Sequence, residues 1–590
     1  MAYELPVYAY RPPPEISQRA KRRYPVIVVG AGLAGLTAAL ELGTRGIETV
    51  LLDEDNTVGA QGLSSRGICY AKRSLEIFDR FGVAERIRAK GVTWNEGEVY
   101  RGAELLYRFD LQPESGQKFP AFVNLQQFYV EQYLVERLQR VASVELRWKN
   151  RVVALAQSDH GVSVQVETPD GRYEASARYL LAADGGHSRL RELVGAADEE
   201  RSFYEDRWCI ADVRMDAKEK PVRKAYLDGI STDGGAIWYH QMADGIWRTD
   251  WQISHLADPD AETTPERAAA RLRKLVGADV RFELVWVGPW RFKKRLLKEF
   301  VHGRIAFLGD AAHEHSPFGA RGGNSAIQDA NNLAWKLALV LAGKAPAELL
   351  ETYHAERHYA ARDNTENATR SAIFIGPQTA GQRLVRDAIL DLAQRAQWAR
   401  RWVNVGRLSV ATVYEASSLN TERGTFRSAL ARPGAAAPDA PLGEGYFVDH
   451  LDGEFRTVLF RPQERREPLY SRYGVPTEGA TYVFRPDGHV LARCAGIDES
   501  FAREAMARVL DYRTIATKVG PATENAGGLS QLQIDRLYDA FSEFFDAKAG
   551  DRALAAKCIA LADRSTYETV RQAIRDSETE PELVRALSPN

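Results

Sequence analysis

Residues 26–53 hold the arrangement that most restricts the fold. Val26-Ile-Val-Val29 is a β-branched run suited to a buried parallel strand. Gly30-Ala-Gly-Leu-Ala-Gly35 follows, residues 33–43 have helical spacing, and Thr49-Val-Leu-Leu52 reads as the next strand. Strand, glycine turn, helix and strand in that order open a Rossmann-like α/β sheet. Each glycine then has a physical task. Gly30 permits the tight turn, Gly32 lets a pyrophosphate approach the backbone, and Gly35 lets helix and strand pack closely. The helix N-terminus adds unbonded N–H groups and a partial positive charge. Asp53 ends the second strand, 23 residues after Gly30, where its carboxylate can accept a ribose hydroxyl. This motif leaves FAD and NAD both open.

Two later motifs narrow the choice. In Leu181-Ala-Ala-Asp-Gly-Gly-His-Ser-Arg-Leu-Arg191 an apolar strand runs into Asp184-Gly185, and Ser188 opens a helix. In Arg304-Ile-Ala-Phe-Leu-Gly-Asp-Ala-Ala-His313 a strand ends at Gly309-Asp310. The glycine-rich loop Ser316-Pro-Phe-Gly-Ala-Arg-Gly-Gly-Asn324 then leads into a long helix, with Asn324 expected as its N-cap and Gly343 as its stop. A helix N-terminus near Gly322 to Asn324 can stabilise negative charge on a reduced flavin by about 0.3–1 kcal/mol. His313, Glu314 and His315 are consecutive on a turn and converge poorly on one metal, so no metal site is expected.

These three motifs, in this order, resemble the group A, single-component FAD-dependent aromatic hydroxylases. That family includes para-hydroxybenzoate hydroxylase, phenol hydroxylase and 3-(3-hydroxyphenyl)propionate hydroxylase. The resemblance covers about residues 25–410. It implies that Gly30, Gly32, Gly35 and Asp53 hold the ADP half of non-covalent FAD. It also places Arg66 near the flavin and Gln127 near the ribose or ribityl chain. Asp184 and Gly185 would serve FAD and a transient nicotinamide. Gly309 and Asp310 would meet the ribityl chain, Pro317 would lie by the reactive edge, and Gly322, Gly323 and Asn324 would frame the ring. Two departures stand out: Glu54 where many members carry arginine, and Ala320-Arg321 where glycine and glutamine are common. Arg321 would put a cation near the flavin, or else be a plain surface arginine.

The implied chemistry uses NADH or NADPH and O2. Hydride passes to FAD, O2 forms a flavin C4a-hydroperoxide, and an OH group goes to an activated, electron-rich phenolic or heteroaromatic ring. A Baeyer–Villiger or epoxidising oxygenase, a reductase and a non-enzymatic flavin sensor are the competing readings.

The implied fold is α/β, built from several units. An N-terminal arm spans 1–24, with Pro12-Pro13-Pro14 extended and the whole lying on the body as a strap. A discontinuous FAD-binding domain covers 25–200 and 300–362. An inserted antiparallel β-sheet substrate domain covers 201–299, and a helical region 363–430. A thioredoxin-like α/β module at 431–499 opens on a linker at 432–445, and a helical tail occupies 500–590. Within the substrate sheet, Ile237, Tyr239 and Gln241 share one face, as do Trp247, Thr249 and Trp251. Either set can line an aromatic pocket or pack a core. Tyr204, Tyr239, His240 and Arg248 are the candidate polar groups for a phenol or carboxylate, beside Pro317 and Arg321.

Charge and cysteine usage bound the partners. Lys plus Arg total 78 and Asp plus Glu 80, a net charge of −2 with no pull toward nucleic acid or membrane. Cys69, Cys209, Cys494 and Cys558 lie far apart without a CxxC pair, which fits a cytoplasmic compartment. The apolar stretch 26–42 after Lys21-Arg22-Arg23 is broken by three glycines and does not read as a membrane span. The expected partners are a small aromatic substrate, O2 and NAD(P)H, with a homodimer open as the assembly.

Overall fold

The structure is a computed structural model that describes residues 4–19, 22–59, 67–112, 114–215, 220–230, 235–254, 257–404, 408–513, 529–548, 550–577 and 583, with the backbone alone at 203–206. It is a mixed α/β chain built on two large sheets. The first has a parallel core ordered Val144–Arg147, Thr49–Leu52, Arg23–Val29, Gly171–Ala182 and Ile305–Phe307. Val28 lies opposite both Leu51 and Leu181. All four residues of Thr49–Leu52 are buried, as expected of a parallel strand covered on both faces. The helix Leu33–Thr44, which follows the glycine turn, packs beside the long helix Gly322–Leu341.

The second sheet has eight strands. It runs from His313–Glu314 through Phe282–Leu297, Asp198–Met215, Ile246–Ile253, Ile237–Gln241 and Arg223–Leu227 to Glu96–Arg101 and Glu104–Asp110. It is therefore wider than residues 201–299. Strand Glu96–Arg101 joins in parallel, with Val99 opposite Ala225. The short, charged sequence of 96–110 carries no local sign of so distant a pairing. Tyr239, Trp247 and Trp251 pack on one face against Ala268 and Leu272 of the helix Pro265–Val276. Trp208, Trp238 and Phe292 pack on the other, toward Phe318.

The arm lies on the body, and Pro13 keeps the extended conformation with φ −67° and ψ 158°. Pro14–Ser17 forms a helical turn, since proline suits the first helical position. Glu15 is buried there, accepting from Tyr24 at 2.8 Å and Arg147 at 3.1 Å. Tyr8 stacks on Trp148 at 4.7 Å, and its N–H donates to Asn56 O.

Near the C-terminus a four-stranded sheet is ordered Thr421–Arg423, Val490–Ala495, Ala480–Phe484 and Arg456–Phe460. The stretch at 432–445 is no open linker. Ala435, Ala437 and Ala440 are buried, and Gly434 and Ala435 exchange backbone hydrogen bonds with Val490. Small side chains let this segment lie flat against the hairpin. The tail helices Gln531–Ala547 and Arg552–Ala562 pack on Ala380–Arg395. Among the described residues no helix is long and apolar enough to cross a membrane.

Candidate functional site

The glycine turn has the shape of a phosphate cradle. Gly30 has φ +102°, and a Cβ there would stand 2.3 Å from Ala183 O. A Cβ on Gly35 would stand 1.8 Å from Gly30 O. Gly32 differs: its nearest neighbour would be Glu131 Oε1 at 3.9 Å, so its Cα side opens outward. Asp53 accepts from Ala31 N at 2.6 Å and Asp55 N at 2.8 Å, and so props the turn as well as facing it. Burial pushes its carboxyl up to about 6. These features fit the pyrophosphate and ribose of a dinucleotide.

The other two motifs close on this turn. Ala183 N donates to Val29 O. Asp184 Oδ2 caps the following helix by accepting from Leu190 N at 3.0 Å, while its buried Oδ1 has no partner among the described residues. Burial raises the Asp184 carboxyl. Arg191 ties the two motifs together, donating to Gly185 O at 3.4 Å, Asp310 O at 2.9 Å and Ala311 O at 3.0 Å. Arg191 stands three residues after the capping Ser188, and its reach to the second motif is not legible along the chain.

Gly309 sits between the two helices, where a Cβ would meet Ala326 Cβ at 3.0 Å and Ala34 Cβ at 3.2 Å. Its N–H donates to Asp329 at 2.9 Å, which also holds His313 at 2.8 Å and Arg357 at 2.6 Å. Burial alone would raise Asp329, but Arg357 and His313 hold it at about 2. Asp310 and Pro317 are exposed at the mouth of this loop. If Asp310 meets the ribityl chain, Asp310→Ala should weaken FAD retention by about 1–3 kcal/mol. Equilibrium dialysis of the holoenzyme measures it, and unchanged affinity would remove the assignment.

Three expectations need correction. Asn324 is not the N-cap: the helix begins at Gly322, with Arg321 in that position. Asn324 instead clamps the first turn to a neighbouring strand, accepting from Ala71 N at 2.9 Å and Ser74 Oγ at 2.6 Å and donating to Cys69 O at 2.9 Å. Arg321 is no surface residue. It is 5% exposed and donates to Asn364 at 2.6 Å, because the loop folds inward onto the helix Glu351–Ile375. Tyr239 stacks on Trp247 at 4.6 Å on the sheet face that packs against Pro265–Val276, away from the loop. Gln127 accepts from Gly67 N at 2.9 Å and donates to Glu131 at 2.7 Å, while Glu131 accepts from Gly59 N at 2.7 Å. Arg66 lies outside the described residues, as does the side chain of Tyr204.

The face that meets the loop is the opposite one: Ile237, Tyr239 and Gln241 lie across from Trp251, Thr249 and Trp247, so the two sets read from the sequence share a single face turned away from it. Phe318 contacts Trp208 at 5.2 Å, Trp238 at 6.0 Å and Phe292 at 5.7 Å. Since side chains alternate along a strand, His240 shares the face of Trp238. Arg248 lies opposite His240, and Asp250 opposite Trp238. Arg248 is paired with Asp212 through two bonds of 2.8 Å. Burial, then Arg223 and Arg248, holds His240 well below the usual histidine range. Among the described residues no group of His, Cys, Asp and Glu is arranged to hold a metal ion.

Comparison with known proteins agrees with this geometry. The FAD binding domain family matches residues 23–368. A flavin-dependent monooxygenase of Mycobacteroides abscessus is 32% identical over 450 residues, 74% of this chain and 88% of that one. A 3-(3-hydroxy-phenyl)propionate/3-hydroxycinnamic acid hydroxylase of Mycolicibacterium smegmatis is 30% identical, over 64% of this chain and 66% of that one. The crystal structure of the flavin-dependent monooxygenase PieE, in complex with FAD and substrate, superposes with a TM-score of 0.70 at 25% identity. It covers 83% of this chain and 100% of its own.

Proposed function

The chain belongs to the FAD binding domain family and is an FAD-dependent monooxygenase of the aromatic hydroxylase kind; we propose that it hydroxylates an electron-rich aromatic ring using O2 and NADH or NADPH. When bound, FAD supplies the redox chemistry, taking hydride from the nicotinamide and passing one oxygen atom from O2 to the ring.

The chain's own residues would position and shield that chemistry. Gly30, Gly32 and the N-terminus of Leu33–Thr44 would take the pyrophosphate, and Asp53 a ribose hydroxyl. The orphaned Asp184 Oδ1 would accept from the cofactor, and Gly185, with φ +78° and open space beside it, would let a ligand lie against the backbone. Asp310 would meet the ribityl chain. Gly322 and Gly323 would let the N-terminus of the long helix face the ring, where its partial positive charge stabilises developing negative charge.

One observation carries the reading of the reacting site. The loop 316–321 touches the first turn of the long helix through Asn324 and Ala320, and the tryptophan face through Phe318. A ring held between them would be walled by aromatic side chains and shielded from water, while Pro317 stays at the edge. Residues 25–200 and 300–362 would then hold the cofactor, and the second sheet the substrate. The unit at 431–499 is read as thioredoxin-like in its strand–helix–hairpin order. It contains Cys494 alone, so dithiol exchange is not its role. Balanced charge and four widely spaced cysteines without a CxxC pair support a cytoplasmic setting.

Anaerobic stopped-flow reduction tests the proposal. With NADH or NADPH, phenols, hydroxybenzoates and N-heterocycles are added in turn. A true substrate should speed FAD reduction by about a hundredfold, a shift of about 3 kcal/mol. Reduction that no ring compound accelerates would count against substrate-controlled hydroxylation.

A further inference from the structure

The loop-facing side of the second sheet leaves buried polar atoms without protein partners. Trp208 Nε1, Trp238 Nε1, His240 Nδ1 and Asp250 Oδ1 are all buried, and none has a hydrogen-bond partner among the described residues. Buried polar atoms are partnered in more than about nine cases in ten, so four on one sheet face need an explanation. All four point to a ligand that carries oxygen.

Asp250 is the distinctive member. It lies opposite Trp238 on one neighbouring strand and Ile210 on the other, so neither cross-strand neighbour can neutralise it. Asp212, the other carboxylate of this face, has both oxygens taken by Arg248. The charged and titratable groups around Asp250 are Arg248 on its own strand, Asp212, Cys209 and Arg223 on other strands of the sheet, and Cys69 on the strand Cys69–Ala71. His240 lies on the adjoining strand, diagonal to it.

Building on the ring-hydroxylating reading of this site, we propose that Asp250 is the residue that receives a hydroxyl group of the aromatic substrate, and that it thereby selects phenols over the corresponding ethers. An ionised carboxylate only accepts hydrogen bonds, so it rewards a donor and leaves an ether oxygen unpaired and repelled. The indole N–H groups of Trp208 and Trp238 would serve a second oxygen on the same ligand.

The electrostatics give the selection a pH dependence. Burial pushes Asp250 up to about 7, against the opposing pull of Arg248 and Arg223. Above that pH it is a carboxylate and the preference for a hydroxyl is present. As pH falls through about 7 it becomes a donor itself, tolerates an ether oxygen, and the preference is lost. The phenolic hydroxyl of each probe titrates near 10 and stays protonated throughout.

The test uses FAD-loaded enzyme and matched probes: phenol against anisole, 4-hydroxybenzoate against 4-methoxybenzoate, and 3-(3-hydroxyphenyl)propionate against its methyl ether. Binding is read from the flavin spectrum and tryptophan fluorescence. At about pH 8 the hydroxyl member should bind at least about tenfold more tightly, and by about pH 6 the gap should shrink severalfold. Asp250→Asn should lower affinity for the phenols by about tenfold, bind the ethers at least as tightly as the wild type does, and abolish the pH dependence of the gap. Equal binding of ethers and phenols by the wild type at the higher pH would overturn the proposal. So would a preference that survives in Asp250→Asn, or a panel in which no member binds. If that variant fails to hold FAD, the wild-type pH series decides alone, and a gap that does not change with pH overturns it. Ethers hydroxylated as efficiently as phenols would remove Asp250's role while leaving ring hydroxylation intact; absence of turnover with every ring compound would remove the reading of the site itself.

Discussion

Gly35→Ala should purify without colour, its affinity for FAD reduced by at least about a hundredfold, or about 3 kcal/mol. The new Cβ would lie 1.8 Å from Gly30 O and 3.0 Å from Gly30 C. Both are backbone atoms of the turn that meets the pyrophosphate, so they cannot swing aside as a side chain can. Overpacking of side chains alone costs about 1–3 kcal/mol, and here the helix Leu33–Thr44 must tilt or the turn must open. Gly32→Ala separates binding from folding. Its Cβ would touch nothing closer than Glu131 Oε1 at 3.9 Å, so the melting temperature without FAD should stay near wild type while FAD binding falls. Flavin content equal to wild type in both variants would contradict the cradle.

Glu356→Ala should cost about 3–5 kcal/mol of stability, because it strands buried cations. Glu356 accepts from Arg485 at 2.7 and 2.9 Å, from Lys336 at 2.8 Å, from Asn332 at 2.7 Å and from Ser417 at 2.6 Å. The side chains of Arg485 and Lys336 are each 0% exposed. Arg485 comes from the hairpin turn that follows the strand Ala480–Phe484 of the four-stranded C-terminal sheet and Lys336 from the long helix Gly322–Leu341, so one carboxylate joins the two. Asp487 extends the junction, accepting from Trp335 at 3.1 Å. Burial alone would raise Glu356, but the two cations hold it well below the carboxylate range. Urea unfolding measures the loss. A midpoint unchanged from wild type would mean that the C-terminal unit is not locked to the helix. Replacing the cluster together by apolar residues of similar volume should be far milder, since the cost lies in the unbalanced charge.

Local pattern carried the cofactor half of the site and not the substrate half. The glycine turn, Asp53, Asp184 and Gly309-Asp310 are each set by short-range rules: a strand ending, a tight turn, a helix beginning. These rules act within a few residues and can be read along the chain. The strand alternation of 237–252 was legible too, but not which side faces the loop. Tyr239 and Trp247 looked like pocket residues because aromatic pairs suit both pockets and cores; the helix Pro265–Val276 claims their side. His240 and Arg248 stand out along the chain as polar groups in an aromatic strand pair, and Asp250 does not. Its importance comes from Trp238 and Ile210 lying across from it, which only the register supplies. Arg321 and Glu356 were opaque for the same reason, being buried by segments distant in the chain.

Product analysis under labelled dioxygen tests the central claim most directly. The enzyme is loaded with FAD and given NADH or NADPH and the ring compound that most accelerates flavin reduction. The account predicts a ring-hydroxylated product with one labelled oxygen atom per molecule, formed in step with nicotinamide oxidation. Product without label, or nicotinamide oxidised only to hydrogen peroxide with every ring compound tried, would contradict it.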